Sequence, residues 1–231
     1  ELSRRYLAVL EDWVPVGVRY FADWPVRPNC GHFLGGGHWY GIESAAGALA
    51  FAAAASSPDL DVARAGASRE ELASMALKAL RYLCFTHDAG PADCVRPASG
   101  LGRPENFGRK WGERGRGFFP ESQCGGTIAT MAIVAQLLGE RVDDETWALL
   151  EAVHLDYADR FAAMDPKNGV YLDTQMEENA WTSYGLASVA CVLDGTSRAA
   201  AYRAAAQRWM FSTVTAPQDA KNLAPLAPGG E

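Results

Sequence analysis

Residues 170–193 read VYLDTQMEENAWTSYGLASVACVL. This stretch begins polar and acidic, with Glu177 and Glu178, and passes Trp181 and Tyr184 before a run of small and apolar residues. A helix of this composition buries most of its length and stays polar only at its N-terminal end. We therefore expect a functional site at that end of the helix.

Two other stretches begin in the same way. YGIESAAGALAFAAA starts at residue 40 and FFPESQCGGTIATMAIVA at residue 118, and each carries an acid, then small polar residues, then an apolar body. Segments with longer and more charged side chains alternate with them. The sequence thus predicts three helices rich in Gly, Ala and Ser at 39–55, 121–138 and 177–193, and three amphipathic helices at 68–85, 143–163 and 198–211.

This alternation predicts an all-α fold built from helical hairpins. Small residues let helix backbones approach closely, so the first set would form an inner layer and the amphipathic set an outer layer. A further helix is expected within 2–23, where Pro15 would kink or divide it. We predict an incomplete α/α toroid over residues 1–212 and a linker or tail over 213–231. The only strand expected lies at 170–172.

Composition narrows the classes of partner. The chain has 231 residues, 21 Lys and Arg against 28 Asp and Glu, and a net charge of -7. This acidic balance argues against nucleic acid, whose binding proteins need a basic face. No stretch reaches the roughly 18 apolar residues of a membrane span, and no signal peptide is visible at Glu1.

The five cysteines predict neither a disulfide framework nor a zinc site. Their spacings are wide and no CxxC motif occurs. Cys84, Cys124 and Cys191 fall in apolar helical runs and are expected to be buried, whereas Cys30 and Cys94 fall in loops and could be paired or free. We expect no metal and no cofactor.

At GGGHWYGIES, FFPESQCGG and EENAWTSYG the chain resembles the (α/α)-toroid carbohydrate-active proteins. These are polysaccharide lyases of the heparinase II/III and chondroitin-lyase kinds, together with six-hairpin glycosidases. The resemblance covers most of residues 1–212 in pattern. It implies action on an oligo- or polysaccharide and favours a secreted or periplasmic location. A full toroid has about six hairpins and this chain predicts three, so the rest of the barrel is expected in the same or another chain.

In such a toroid the N-terminal ends of the inner helices meet on one face and form a cleft. The candidate catalytic residues there are His38, Tyr40, Glu43, Glu121, Glu178, Asn179 and Tyr184. The candidate substrate-binding residues are Trp39, Arg109, Trp111, Arg114, Gln123, Glu177 and Trp181. Acids at helix N-termini also have a purely structural explanation, because they complement the helix dipole.

Two chemistries fit these residue types. A uronate lyase needs a base to remove the C5 proton, for which His38, Tyr40 or Tyr184 would serve, and a neutral or cationic partner for the sugar carboxylate, for which Asn179 would serve. A glycosidase needs two carboxylates, which the glutamates would supply. The lyase is favoured, the hydrolase is the alternative, and a non-catalytic glycan-binding fragment is a third possibility.

The segment ENFGRKWGERGRGFF, residues 105–119, lies in a long stretch without apolar periodicity. It mixes arginines with aromatic residues. Such a loop could act as a lid over an acidic glycan, with Arg109 and Arg114 meeting the negative charges. The structural alternative is a solvated basic loop.

Overall fold

The computed structural model describes residues 2–98, 104–116, 121–166, 175–217 and 223–225. Within these ranges lie eight α-helices: α1 (Leu2–Tyr20), α2 (Ile42–Ser56), α3 (Val62–Ala65), α4 (Arg69–Thr86), α5 (Cys124–Leu138), α6 (Asp144–Ala162), α7 (Gln175–Val192) and α8 (Ser197–Val214). Two antiparallel pairs of short strands join β1 (Phe21–Asp23) to β2 (Gly31–Phe33) and β3 (Thr215–Pro217) to β4 (Leu223–Pro225). The all-α prediction is confirmed.

The six predicted hairpin helices all form, with ends within a few residues of those expected. The start of α4 is a capping box: Ser68 Oγ accepts from the Glu71 N–H at 3.2 Å, and Glu71 Oε2 accepts from the Ser68 N–H at 2.8 Å. Of the two outcomes predicted for Pro15, a kink or a division of the first helix, the division does not occur. α1 runs through Pro15, which is exposed and costs the helix one backbone hydrogen bond.

The four short strands were not predicted. β1 and β2 occupy the segment predicted as the end of a helix and a loop, and each has only three residues, too few for an alternating pattern. β3 and β4 lie in the segment predicted as a linker. The strand predicted at 170–172 lies outside the described residues.

The chain divides into two compact units. The first comprises Glu1–Glu113 and Thr130–Val153, and the second comprises Arg114–Ala129 and His154–Glu231. Both α5 and α6 contribute residues to each unit.

The first unit is organised around the α2–α4 hairpin. Phe51 of α2 packs edge-on against Phe33 of β2, with ring centroids 5.0 Å apart, and against Trp13 of α1 at 5.6 Å. Gly47 of α2 leaves room for the Phe33 ring, since a Cβ at that position would lie 2.5 Å from it. The small residues of α2 thus allow a strand and two helices to approach its backbone.

The start of α6 is tied to α4 by the Arg81 guanidinium in the first unit. Arg81 donates to Thr146 Oγ1 at 2.6 Å and to Glu145 Oε2 at 2.9 Å. Asp143 caps the helix, since its Oδ1 accepts from the Thr146 N–H at 2.8 Å. The acids at 143–145 therefore open a helix, as the sequence indicated.

The second unit contains a contact in which helix backbones nearly touch. A Cβ on Gly185 of α7 would lie 2.8 Å from the Gly125 Cα of α5 and 2.6 Å from the Tyr157 ring of α6. α7 also packs along α8, where the Ser183 hydroxyl donates to the Ala206 carbonyl at 2.9 Å. His154 is buried and its Nε2 lies 3.1 Å from the Ile128 carbonyl oxygen, which makes it a helix-packing residue.

One further sequence prediction is corrected here. Cys191 is exposed near the end of α7, although the apolar run around it predicted burial. The other four cysteines are buried, and none of the five forms a disulfide bond. Among the described residues, no helix is long and apolar enough to cross a membrane.

Candidate functional site

The segment from His38 to Glu43 leads into α2 through a short 3-10 turn at Trp39–Gly41. His38 is exposed, whereas Trp39 and Tyr40 are half-buried with their rings in edge contact at 4.8 Å. Tyr40 has φ of 46°, a left-handed conformation that costs a non-glycine residue on the order of 1 kcal/mol or more. The surrounding contacts therefore hold this turn against its local preference.

Glu43 is one of those contacts. Its side chain is only 6% exposed, and its Oε1 accepts from the His38 N–H at 3.2 Å. Its Oε2 is buried and has no hydrogen-bond partner among the described residues. Burial raises the pKa of Glu43 to about 7, while backbone hydrogen bonds and the Arg96 charge act in the opposite direction. The Glu43 carboxyl group thus holds the turn by its hydrogen bond to the His38 N–H and is not open to solvent.

Arg96 is the second residue whose side chain holds this turn, and no pattern in the sequence indicated its role. Its buried guanidinium donates Nη1 to the His38 carbonyl at 3.1 Å, Nε to the Arg109 carbonyl at 3.0 Å and Nη2 to the Lys110 carbonyl at 3.1 Å. One side chain thus fixes the main chain of His38 beside that of Arg109. Asn106 adds a longer bond from Nδ2 to the same His38 carbonyl, at 3.4 Å.

Arg96 binds the main-chain carbonyls of Arg109 and Lys110, and the side chains of these two residues differ in exposure. The Arg109 guanidinium is exposed and pairs with Glu113 at 2.7 Å. Lys110 Nζ donates to the carbonyls of His87 and Gly90, both at 2.8 Å. Of these two side chains, that of Arg109 is the more exposed to solvent.

Trp111 was predicted to bind substrate, but its indole lies inside the first unit. It is 1% exposed, its Nε1–H donates to the Leu83 carbonyl at 2.8 Å, and its ring packs against His87 at 4.5 Å. A glycan has no access to this ring in the structure. Residues 104–113 are therefore secured to the first unit by Arg96, Lys110 and Trp111.

In the second unit the polar ends of α5 and α7 meet at Glu178. This residue is buried, and its carboxylate accepts from the Ser122 hydroxyl in a short hydrogen bond and from Gln123 Nε2 at 3.3 Å. Burial raises the pKa of Glu178, whereas the bonds from Ser122 and Gln123 act to lower it. Ser122 is held in turn, because its carbonyl accepts from the Tyr157 hydroxyl at 3.2 Å.

Glu121 belongs to an ion-pair network in the same unit. Its Oε2 pairs with Arg160 at 3.2 Å, and its Oε1 accepts from the Arg116 N–H at 3.0 Å. Arg160 also pairs with Asp156 at 2.7 Å, and Asp156 pairs with Arg114 at 2.7 Å. The predicted catalytic residue Glu121 and the predicted anion partner Arg114 are thus linked by opposite charges within their own unit.

The remaining candidates lie on the first turns of α7. Glu177 and Tyr184 are exposed, and Trp181 is half-buried with its Nε1–H donating to Glu177 Oε1 at 3.3 Å. The two residues are four apart, so they lie on one face of the helix. Asn179 is buried, so its amide does not reach solvent.

The candidates therefore form two groups, one in each unit. The first contains His38, Trp39, Tyr40, Glu43, Arg109 and Trp111, and the second contains Arg114, Glu121, Gln123, Glu177, Glu178, Asn179, Trp181 and Tyr184. The single cleft shared by both groups stays a prediction. Within the described ranges, no group of three or more His, Cys, Asp or Glu side chains is arranged to hold a metal ion.

The first group offers an exposed imidazole, an exposed guanidinium and two aromatic rings on a rigidly held main chain. Such a set can accept a proton, meet a negative charge and stack against an apolar sugar face. Comparison with protein-family models, with curated proteins and with solved structures finds no match for this chain.

Proposed function

We propose that this protein is a polysaccharide lyase that cleaves a uronate-containing glycan by β-elimination on an incomplete (α/α) toroid. The observation that carries this proposal is the bridge made by Arg96, whose guanidinium bonds to the main-chain carbonyls of both His38 and Arg109. A base next to a cation is the pair that removal of a proton adjacent to a carboxylate requires.

In the proposed reaction the His38 imidazole removes the C5 proton of a uronate residue. The Arg109 guanidinium exchanges its bond to Glu113 for one to the sugar carboxylate, and stabilises the negative charge that develops there. The C–H electron pair forms the C4–C5 double bond while the C4–O bond breaks. The departing oxygen takes a proton, either from the imidazolium or from the Tyr40 hydroxyl, so no water is consumed.

The environment of the glutamates favours elimination over the hydrolase alternative. A glycosidase needs two carboxyl groups that reach the glycosidic bond. Glu43 and Glu178 are buried, and Glu121 is held by Arg160 and the Arg116 amide. Among the four candidate glutamates, Glu177 alone is exposed.

The test is a panel of acidic and neutral polysaccharides, with two readouts on each. Elimination produces an unsaturated uronide that absorbs in the ultraviolet, whereas hydrolysis produces reducing ends without new absorbance. We expect ultraviolet-absorbing product from an acidic glycan only. Reducing ends without absorbance, or no product from any glycan, would reject the lyase.

Two variants assign the roles. Removing the base in His38→Ala should lower kcat by about 100-fold or more. Arg109→Ala should reduce kcat/KM on the acidic glycan by a similar factor. Arg198→Ala is the matched control, because Arg198 is also an exposed arginine paired with a carboxylate, that of Asp159 at 3.2 Å, and should leave the rate unchanged.

A further inference from the structure

α1 has two apolar faces, and the body of the first unit covers only one of them. Val14 and Gly17 are buried on the covered face, where Gly17 lies against Phe51. The other face carries an apolar or aromatic residue at intervals of four and three: Leu2, Tyr6, Val9, Trp13, Val16 and Tyr20. This is the seam spacing of a coiled coil, with Tyr6 and Trp13 at a positions and Leu2 and Val9 at d positions.

The N-terminal half of this seam is open to solvent. Leu2 is 63% exposed, Tyr6 66% and Val9 65%. Further along, Trp13 makes edge contact with Phe51 and so joins the seam to the core. Exposed apolar residues scattered singly are ordinary, whereas a continuous row along one helix face marks an association surface.

We propose that two copies of this chain associate through antiparallel pairing of their α1 helices. Tyr6 of one copy then meets Val9 of the other, and Leu2 meets Trp13, so four apolar layers are related by a twofold axis between residues 7 and 8. Pro15 does not obstruct this pairing, because it is exposed and lies away from the seam.

The charged residues beside the seam favour a second copy of the chain as the partner and an antiparallel orientation of the two helices. Arg5 and Asp12 are exposed at g positions, which face each other across an antiparallel coiled coil. In the register set by the apolar layers, Arg5 of each copy lies opposite Asp12 of the other, giving two opposite-charge pairs. In a parallel pair Arg5 would face Leu10 instead. Both carboxylate oxygens of Asp12 accept hydrogen bonds from the Arg64 guanidinium of the same copy at 2.7 Å, and the side chain remains exposed to a second cation.

The paired surface covers about three helical turns on each copy, so we expect a reversible dimer with a dissociation constant in the micromolar range. Sedimentation equilibrium of the full chain should show a monomer–dimer equilibrium. Val9→Glu should weaken dimerisation at least tenfold. Met210→Glu, which places the same charge at an exposed apolar site on α8, should leave it unchanged.

The charge pairs allow a complementation test. Arg5→Glu and Asp12→Arg each bring like charges together and should yield monomers, whereas an equimolar mixture of the two variants should dimerise again. If Asp12→Arg fails to fold, the comparison of Val9→Glu with Met210→Glu tests whether the α1 seam forms the dimer. A monomeric wild type, a dimer insensitive to Val9→Glu, or recruitment of the chain to lipid vesicles through this face without dimerisation would overturn the proposal.

Discussion

Glu43 makes the turn at His38 dependent on pH. Its pKa in the folded state is about 7, against an ordinary value of 4.5, so the folded state keeps a proton that the unfolded state loses. The contribution of Glu43 to the free energy of unfolding should therefore be greatest below pH 4.5 and should fall as the pH rises from 4.5 to about 7. Above pH 7 the free energy of unfolding should stay lower than at acidic pH, by about 3 kcal/mol at most.

Glu43→Gln should remove this contribution. The free energy of unfolding from urea titrations at several pH values should fall less steeply between pH 4.5 and 7 in the variant than in the wild type. Glu71→Gln, at an exposed cap, provides the comparison. Parallel curves for the wild type and Glu43→Gln would mean that Glu43 is ionised in the folded state.

The same substitution separates the two proposed chemistries. The amide oxygen introduced by Glu43→Gln would still accept the His38 N–H bond, so a lyase in which Glu43 only supports His38 should keep its rate within about tenfold. A hydrolase that uses Glu43 as an acid would lose activity by about 100-fold or more. Steady-state kinetics on the preferred glycan distinguishes these outcomes.

Arg96 supports the same turn through geometry that lysine cannot reproduce. A guanidinium has several donors in a fixed plane, whereas an ammonium is a point charge. Arg96→Lys should therefore retain the charge but lose the bonds to at least one of the three carbonyls, costing about 2 kcal/mol of stability. Thermal melting measures the loss, and a larger fall in kcat than in substrate affinity would show that the turn positions His38.

At the scale of the element, the contact between α5 and α7 depends on the absence of side chains. Gly185→Ala would improve helix propensity by about 1 kcal/mol, yet its methyl group would lie 2.8 Å from Gly125 Cα. We expect net destabilisation of about 1–3 kcal/mol, because backbone cannot give way as a flexible side chain does.

Ala187→Gly in the same helix is the control for that prediction. Ala187 is exposed, so the change reports propensity alone and should cost about 1 kcal/mol. Chemical denaturation of both variants gives the comparison. A Gly185→Ala protein more stable than the wild type would mean that the helices separate without cost.

At the scale of the whole chain, the cysteines provide a simple test of burial. Cys191 is exposed, whereas the other four thiols are buried, and burial raises the pKa of Cys30 to about 11 despite the nearby Arg81 charge. One thiol should react quickly with an aromatic disulfide reagent under native conditions and four more after unfolding. Cys191→Ser should abolish the fast phase; two or more fast thiols in the wild type would contradict the packing.

Helix positions were predictable because the apolar periodicity and the capping residues are local signals. Ser68 and Glu71, which lie three residues apart, indicate the start of α4. The small residues around Gly125 and Gly185 indicate that their helices approach each other closely. The exposure of Cys191 was not predictable, because it depends on which face of an almost uniformly apolar helix meets α8. The toroid and its shared cleft stay predictions.

The site was predictable only in part for a related reason. His38, Tyr40 and Glu43 stand out because they open an apolar helix, and Glu178 because it opens another. Arg96 lies 58 residues from its partner His38 in a stretch without periodicity, and its role depends on three main-chain carbonyls. Carbonyl groups occur at every residue, so no pattern of side chains could reveal that contact.

The Arg96 bridge has a consequence for how the first unit opens. Residues near His38 and those near Arg109 are distant in the chain, yet one guanidinium bonds to both. A local opening that frees either segment must break bonds that also hold the other, so their amide hydrogens should exchange with solvent at a shared opening free energy. The two loops would then fluctuate as a single cooperative element, which keeps the distance between His38 and Arg109 constant while the rest of the surface moves.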